Sequence, residues 1–172
     1  MSVKNKTSGR RSMQSRAGVV DDMQPSVKRR STESQVRTII NSYAPTQLRL
    51  IVAMRRLLRK RLPTAHEIVY AYHNLGAVVI SFSPSEHGYE GVLAIRGNKD
   101  GVKLYFNQGI TLSDPEKLLR GSAKARWIQV ERASTLTRTA VVSLIDEAIA
   151  RNRVPFTLEG SGLVVIRAAS GK

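Results

Sequence analysis

The stretch EIVYAYHNLGAVVISFSPSEHGYEGVLAIRGNKDGVKLYFN, residues 67–107, decides the fold of this chain. It holds four short runs rich in β-branched and aromatic residues, at 67–72, 77–82, 90–96 and 102–107. Turn chemistry separates them: His73-Asn74-Leu75-Gly76, then Ser83-Pro84-Ser85-Glu86-His87-Gly88, then Gly97-Asn98-Lys99-Asp100-Gly101. Links this short join antiparallel neighbours, because a parallel crossover needs a dozen or more residues. The runs therefore predict an antiparallel meander, a sheet able to keep one face wet.

Side chains alternate along a strand, so in the last run Val102, Leu104 and Phe106 point to the core while Lys103, Tyr105 and Asn107 point away. A cation, a ring and an amide on one wet face can stack on a base or another planar ligand and hydrogen-bond it. A merely solvated antiparallel face carries the same residue types.

Downstream, Ser113-Asp114-Pro115-Glu116 supplies a capping hydroxyl, early acids and an early proline, and Gly121 a stop, which predicts a helix of barely two turns. The turn that follows, Gly121-Ser122-Ala123-Lys124-Ala125-Arg126, leads into a strand from Trp127. Ser122, Lys124 and Arg126 with approachable backbone are the parts of a small anion site, the two cations leaving one side of extended chain. A surface turn whose cations balance Asp114 and Glu116 is the plainer alternative. The Gly-x4-Gly-Lys-Ser/Thr spacing of a P-loop is absent, so nucleoside triphosphate hydrolysis has no support. An amphipathic helix is expected over 138–152, and residues 154–158 and 163–168, joined by Glu159-Gly160-Ser161-Gly162, predict a terminal hairpin.

Upstream, Leu48, Ile51, Met54, Leu58 and Leu62 recur at helical spacing between Pro45 and Pro63. The other face of that helix carries Arg49, Arg55, Arg56, Arg59, Lys60 and Arg61 and no carboxylate. The helix dipole accounts for the cations nearest its end. With no acid on the helix to pair them, Arg55, Arg56, Arg59 and Lys60 read as an anion-facing ridge. A shorter helical pattern starts at Gln35, and residues 1–34 lack any apolar period, which predicts a disordered basic tail with Lys28, Arg29 and Arg30 as its densest cluster. The domain proper is expected over 35–152, with 153–172 as an extension.

The formal net charge is +15, and it is concentrated at the front. Residues 1–62 hold 15 Lys and Arg against three acids; residues 63–172 hold 13 against 10. Such asymmetry points to contact with a polyanion such as nucleic acid, an anionic membrane or an acidic protein, and a solvated, solubilising tail is the plain alternative. The chain has no cysteine, which excludes a disulfide framework, a thiolate zinc site and a cysteine nucleophile. It has no apolar run of membrane-spanning length and no secretory leader pattern, and a cytoplasmic location is expected. His66, His73 and His87 are scattered without metal-ligand spacing, and the Ser83, Ser85, Glu86, His87 turn lacks a nucleophile elbow. The expectation is a binding domain with no catalytic residues, no metal ligands and no cofactor.

Several blocks in order carry a family likeness: the helix after Tyr-x-Pro, E-I-V-Y at 67–70, S-F-S-P-S-E-H-G-Y-E-G at 81–91, V-K-L-Y-F-N-Q-G at 102–109 and D-P-E-K-L-L-R-G-S at 114–122. Together they resemble the bacterial YdhG-like family, domain of unknown function 1801, over about residues 34–152. The resemblance implies an α+β two-layer sandwich, similar in outline to frataxin. Its expected parts are an antiparallel sheet of about five strands, N- and C-terminal helices on one face and a short helix before the last family strand; the extra C-terminal hairpin lies outside the resemblance. Some relatives are described as intracellular iron chaperones. Frataxin-like iron binding uses acids along the first helix, and the helix after Pro45 matches none of them. The function expected is therefore non-enzymatic binding of an anionic partner, nucleic acid or a phosphorylated ligand. An iron chaperone-like role and an accessory protein-interaction role are the alternatives.

Overall fold

The computed structural model describes residues 24–168 of the chain. Three α-helices and six strands form one α+β unit: α1 (Gln24–Ile40), α2 (Pro45–Arg61), β1 (His66–Tyr72), β2 (Ala77–Ser83), β3 (Leu93–Asn98), β4 (Gly101–Phe106), β5 (Arg126–Val130), α3 (Thr139–Ala150) and β6 (Val164–Ala168). The strands lie in the order β5-β4-β3-β2-β1-β6. The pairs from β1 to β5 are antiparallel, as the short turns require for the first three, and β6 runs parallel to β1. The sheet is therefore mixed.

Register shows how the core is made. Val69, Ile80, Ile95, Leu104 and Ile128 are cross-strand neighbours in one row. All five are buried in a single cluster with Val36 and Ile40 of α1, Ile51, Met54 and Leu58 of α2, and Val141, Leu144 and Ile145 of α3. Each such aliphatic side chain withdrawn from water contributes roughly 2 kcal/mol. The opposite alternating set faces away from the helices. Tyr43, between α1 and α2, sends its hydroxyl to the carbonyls of Gly76 and Gly97, at 3.1 and 3.2 Å. Burial pushes its phenol pKa up, because the phenolate is the poorly solvated form.

Three local expectations are corrected. First, helix begins at Gln24, before the periodic residues that start at Gln35. The added turns carry Glu33 to α2, where it meets two arginines. Second, residues 113–121 form no helix. Ser113 gives its N–H and hydroxyl to Glu147 instead of capping. The Asp114 carboxylate accepts from the N–H groups of Leu118 and Leu119, and Lys117 takes a left-handed φ of 53°, which stops propagation. Arg120 is then drawn into a two-way backbone bridge with Trp127. Third, the terminal hairpin is absent. Residues 154–158 are not a strand, and residues 164–168 pair with β1. The outer edge of β1 offers unpaired backbone groups, and parallel pairing satisfies them.

The approach to that edge is close. Thr64 Oγ1 donates to the Thr157 carbonyl at 2.7 Å, and the Glu67 N–H donates to the Leu163 carbonyl at 2.8 Å. At Gly162 a Cβ would stand 1.7 Å from the Ala65 carbonyl oxygen, so only glycine passes there.

Glu67 is the exception to the apolar row. Its register partner is Phe82, so its carboxylate enters the helix side of the sheet, and the residue is 3% exposed. Arg55 Nε donates to it at 2.5 Å, and Arg59 Nε donates to its other oxygen. Glu33 accepts two bonds from Arg55, both at 2.9 Å, and one from Arg59. Two acids and two guanidiniums thus close a charge-balanced cluster joining α1, α2 and β1. For Glu33 burial pushes the carboxyl pKa up, but the hydrogen bonds and charges of Arg55 and Arg59 outweigh it, and the net is below the ordinary 4.5. For Arg59 burial favours loss of the proton, and the two carboxylates more than reverse that.

These contacts generate three predictions. Gly162→Ala should lower stability by about 2 kcal/mol through backbone displacement at the β1–β6 junction. A urea midpoint equal to that of the parent would show that β6 docks without this approach. Because the Glu33 pKa is depressed on folding, its stabilising contribution is complete above pH 4.5 and is lost as pH falls through the folded value. Urea unfolding across that range should show the loss, and Glu33→Gln should flatten it. Glu67→Gln, which leaves Arg55 with one carboxylate in place of two, should cost about 3 kcal/mol at neutral pH.

Candidate functional site

The face of the sheet turned away from the helices is built from His66, Ile68, Tyr70 and Tyr72 of β1, with the alternate residues of the other strands beside them. No carboxylate occupies any strand position on it. Lys103 and Tyr105 lie here, half-buried, as alternation predicts. The β4–β5 register sets Trp127 opposite Tyr105 and Gln129 opposite Lys103. The Tyr105 and Trp127 rings are 6.5 Å apart, Lys103 Nζ stands 4.1 Å from the Trp127 ring centroid, and Arg96 of β3 lies 6.0 Å from that of Tyr105. The positions of Arg96 and Trp127 follow from strand pairing, a signal present in the alternation of residues 93–98 and 126–130.

The arrangement combines two aromatic rings with two cations at their edges or faces. Among the described residues neither Lys103 nor Arg96 has an ion pair with a carboxylate. Their charge is therefore available to an anion, and a Lys ammonium leaves a ring face by rotating its own side chain. Arg167 on β6 adds a third cation, exposed, with one bond to the Glu86 carbonyl at 3.0 Å.

A loop over residues 84–91 folds back on part of this face. A Cβ at Gly88 would meet the Tyr70 hydroxyl at 1.7 Å, and one at Gly91 would meet Ser81 Oγ at 2.2 Å. The loop is tied by Ser83 Oγ to the His87 carbonyl at 2.9 Å, by Ser85 Oγ to Glu90, and by Asn107 Nδ2 to the Gly91 carbonyl at 2.5 Å. Asn107, expected beside Lys103 and Tyr105 as a ligand contact, thus spends an amide N–H on the scaffold. Tyr89 at the loop's tip is 82% exposed and stacks on His87 with centroids 5.3 Å apart.

The other expected anion contacts lie elsewhere. Arg126 pairs with Phe106, so its side chain leaves on the helix side, where a Cβ on Gly109 would come within 2.4 Å of Arg126 Cβ. Ser122 and Lys124 sit in exposed bends before β5. Gly121, which opens the turn, lies against the Trp127 indole, where a Cβ would stand 3.3 Å from Nε1, while Arg126 leaves on the other face of the sheet. On α2 the ridge divides: Arg55 and Arg59 belong to the charge-balanced cluster, Arg61 pairs with Asp146, and Arg49, Arg56 and Lys60 remain exposed. The carboxylates missing from the helix come from α1, β1 and α3. Since α2 packs on the core side of the sheet, Arg56 and Lys60 face solvent on the opposite side of the molecule from Lys103. Lys28, Arg29 and Arg30 fall within α1, and their side chains lie outside the described residues.

Among the described residues no group of three or more His, Asp or Glu is placed to hold a metal ion, and no helix is long and apolar enough to cross a membrane. Comparison of the chain with protein-family models, with curated proteins and with solved structures finds no match.

Proposed function

We propose that this protein is a non-enzymatic cytoplasmic domain that binds single-stranded nucleic acid on the open face of its sheet. The observation that carries the reading is the half-exposed Tyr105–Trp127 pair with Lys103 and Arg96 at its rings, on a face whose strand positions hold no carboxylate. Stacking a base on such a ring is worth roughly 1–3 kcal/mol and works for any base. The cations supply the salt-dependent attraction for phosphates. A duplex keeps its bases stacked on each other, so a flat aromatic platform favours an unpaired strand whose bases are splayed out. Exposed Arg56 and Lys60 add to the positive field without joining this surface. The YdhG-like resemblance contributes a fold outline to this reading and no ligand.

Trp127 is the one tryptophan in the chain, so its fluorescence reports the platform directly. Titration with an octathymidylate or octauridylate at low salt should quench it, and the affinity should fall steeply as salt rises. Read by anisotropy of a labelled strand, Trp127→Ala and Tyr105→Ala should each weaken binding by roughly 5-fold or more, the low end of one lost stack. A hairpin duplex of equal charge should bind less tightly than the single strand. Absence of binding at low salt, or affinity that both substitutions leave unchanged, overturns the reading.

A further inference from the structure

A second aromatic station lies on the same face, at the far side of the sheet. Tyr70 and Tyr72 of β1 stack with centroids 6.4 Å apart and an interplanar angle of 27°. Between the two stations the register defines a continuous row, Lys103–Arg96–Val79–Tyr70–Arg167, which crosses β4, β3, β2, β1 and β6. Every member of that row is at least partly exposed, whereas in the adjacent row Ala94, Ser81 and Ile68 are buried. A ligand leaving the Trp127–Tyr105 platform therefore meets a half-open band that runs across the strands. The 84–91 loop borders it, with Gly88 at the Tyr70 hydroxyl. Cations stand at both ends of the band and one strand in from the first, and Val79 between them presents no charge.

We infer that the bound strand crosses the sheet from Trp127 to Tyr70 and Tyr72 and ends at Arg167, so that the site takes an oligonucleotide and discriminates against free nucleotides and dinucleotides. This rests on the single-strand reading above. From Trp127 on β5 to Arg167 on β6 there are five strand intervals, about 24 Å at ~4.8 Å each. At about 3.4 Å per nucleotide in a stacked strand this is about seven nucleotides, and fewer where bases are splayed. That length lies within the range for single-strand sites on small β domains. A base on each station and phosphates at Lys103, Arg96 and Arg167 account for the residue types along the row.

The test is a length series of labelled oligothymidylates, from the dinucleotide to the octamer, measured by anisotropy on the full chain. Affinity should rise steeply up to about seven nucleotides and flatten beyond. Tyr72→Leu should weaken the octamer by roughly 5-fold or more and leave the dinucleotide unchanged, while Trp127→Ala weakens both. Arg167→Gln, at an exposed position, should lower the octamer's salt slope by about 0.7, one phosphate contact. If the octamer binds through Trp127 but no more tightly than the dinucleotide, or if Tyr72→Leu and Arg167→Gln leave it unchanged, the crossing path is wrong and the platform stands. If Trp127→Ala has no effect on any length, the platform itself falls, and the path with it. Circular dichroism of Tyr72→Leu separates a lost contact from a lost fold, and Arg167→Gln decides the matter if that variant is unfolded.

Discussion

A carboxylate placed at a core-facing strand position constrains everything packed against it. Glu67 enters the helix side of the sheet beside Phe82, where an unpaired charge would cost several kcal/mol. Neutralising it takes the guanidiniums of Arg55 and Arg59 of α2, and these in turn hold Glu33 of α1. Arg55 and Arg59 are four residues apart and therefore share a helix face. Satisfying Glu67 thus fixes the rotation of α2 about its axis, in agreement with Ile51, Met54 and Leu58, which bury alongside. The same rotation turns Arg56 and Lys60 outward. The cluster is a weak source of net stability and a strong source of register, since any other docking of α2 would leave a buried charge alone.

The layering that results is one-sided. Short turns connect β1 through β4, so no helix is interposed to cover the second face, and the helices before and after the meander all join the first. What partly shields the second face is the 84–91 loop, held by side-chain bonds to backbone carbonyls. The period of two in the strands then sorts chemistry between the faces: aliphatic residues inward, and tyrosine, tryptophan, lysine and arginine outward. The cationic character of the open face is consequently a property of the sheet and not of the basic front of the chain.

Period and turn chemistry made the four-strand meander and the amphipathic α2 and α3 legible from residue types, and the open side of Lys103 and Tyr105 with them. What escaped was whatever depends on a partner distant in sequence. Arg55 and Arg59 look unpaired when only their own helix is read, because Glu33 and Glu67 lie on other elements. The cap signals at Ser113 and Asp114 are genuine local chemistry, but the bonds Ser113 donates to Glu147 and the left-handed Lys117 redirect them. Residues 164–168 have strand character and choose the edge of β1 over a local hairpin. Lys124 and Arg126 share a side of an extended chain, yet β5 starts only at Arg126, and its pairing with Phe106 sends that side chain away from Lys103.

The parallel pairing of β6 has a consequence for how the chain reaches its native state. His66 and Leu163, in contact at the β1 edge, are 97 residues apart, and α1 packs on β6 as well. The meander contains mostly local contacts and can form early, whereas closing that edge requires a loop spanning most of the domain. Until residues 164–168 arrive, β1 presents an unpaired edge to other chains during synthesis and refolding. The last strand therefore acts as a kinetic seal: it adds few residues to the core and removes the surface on which partly folded copies would associate.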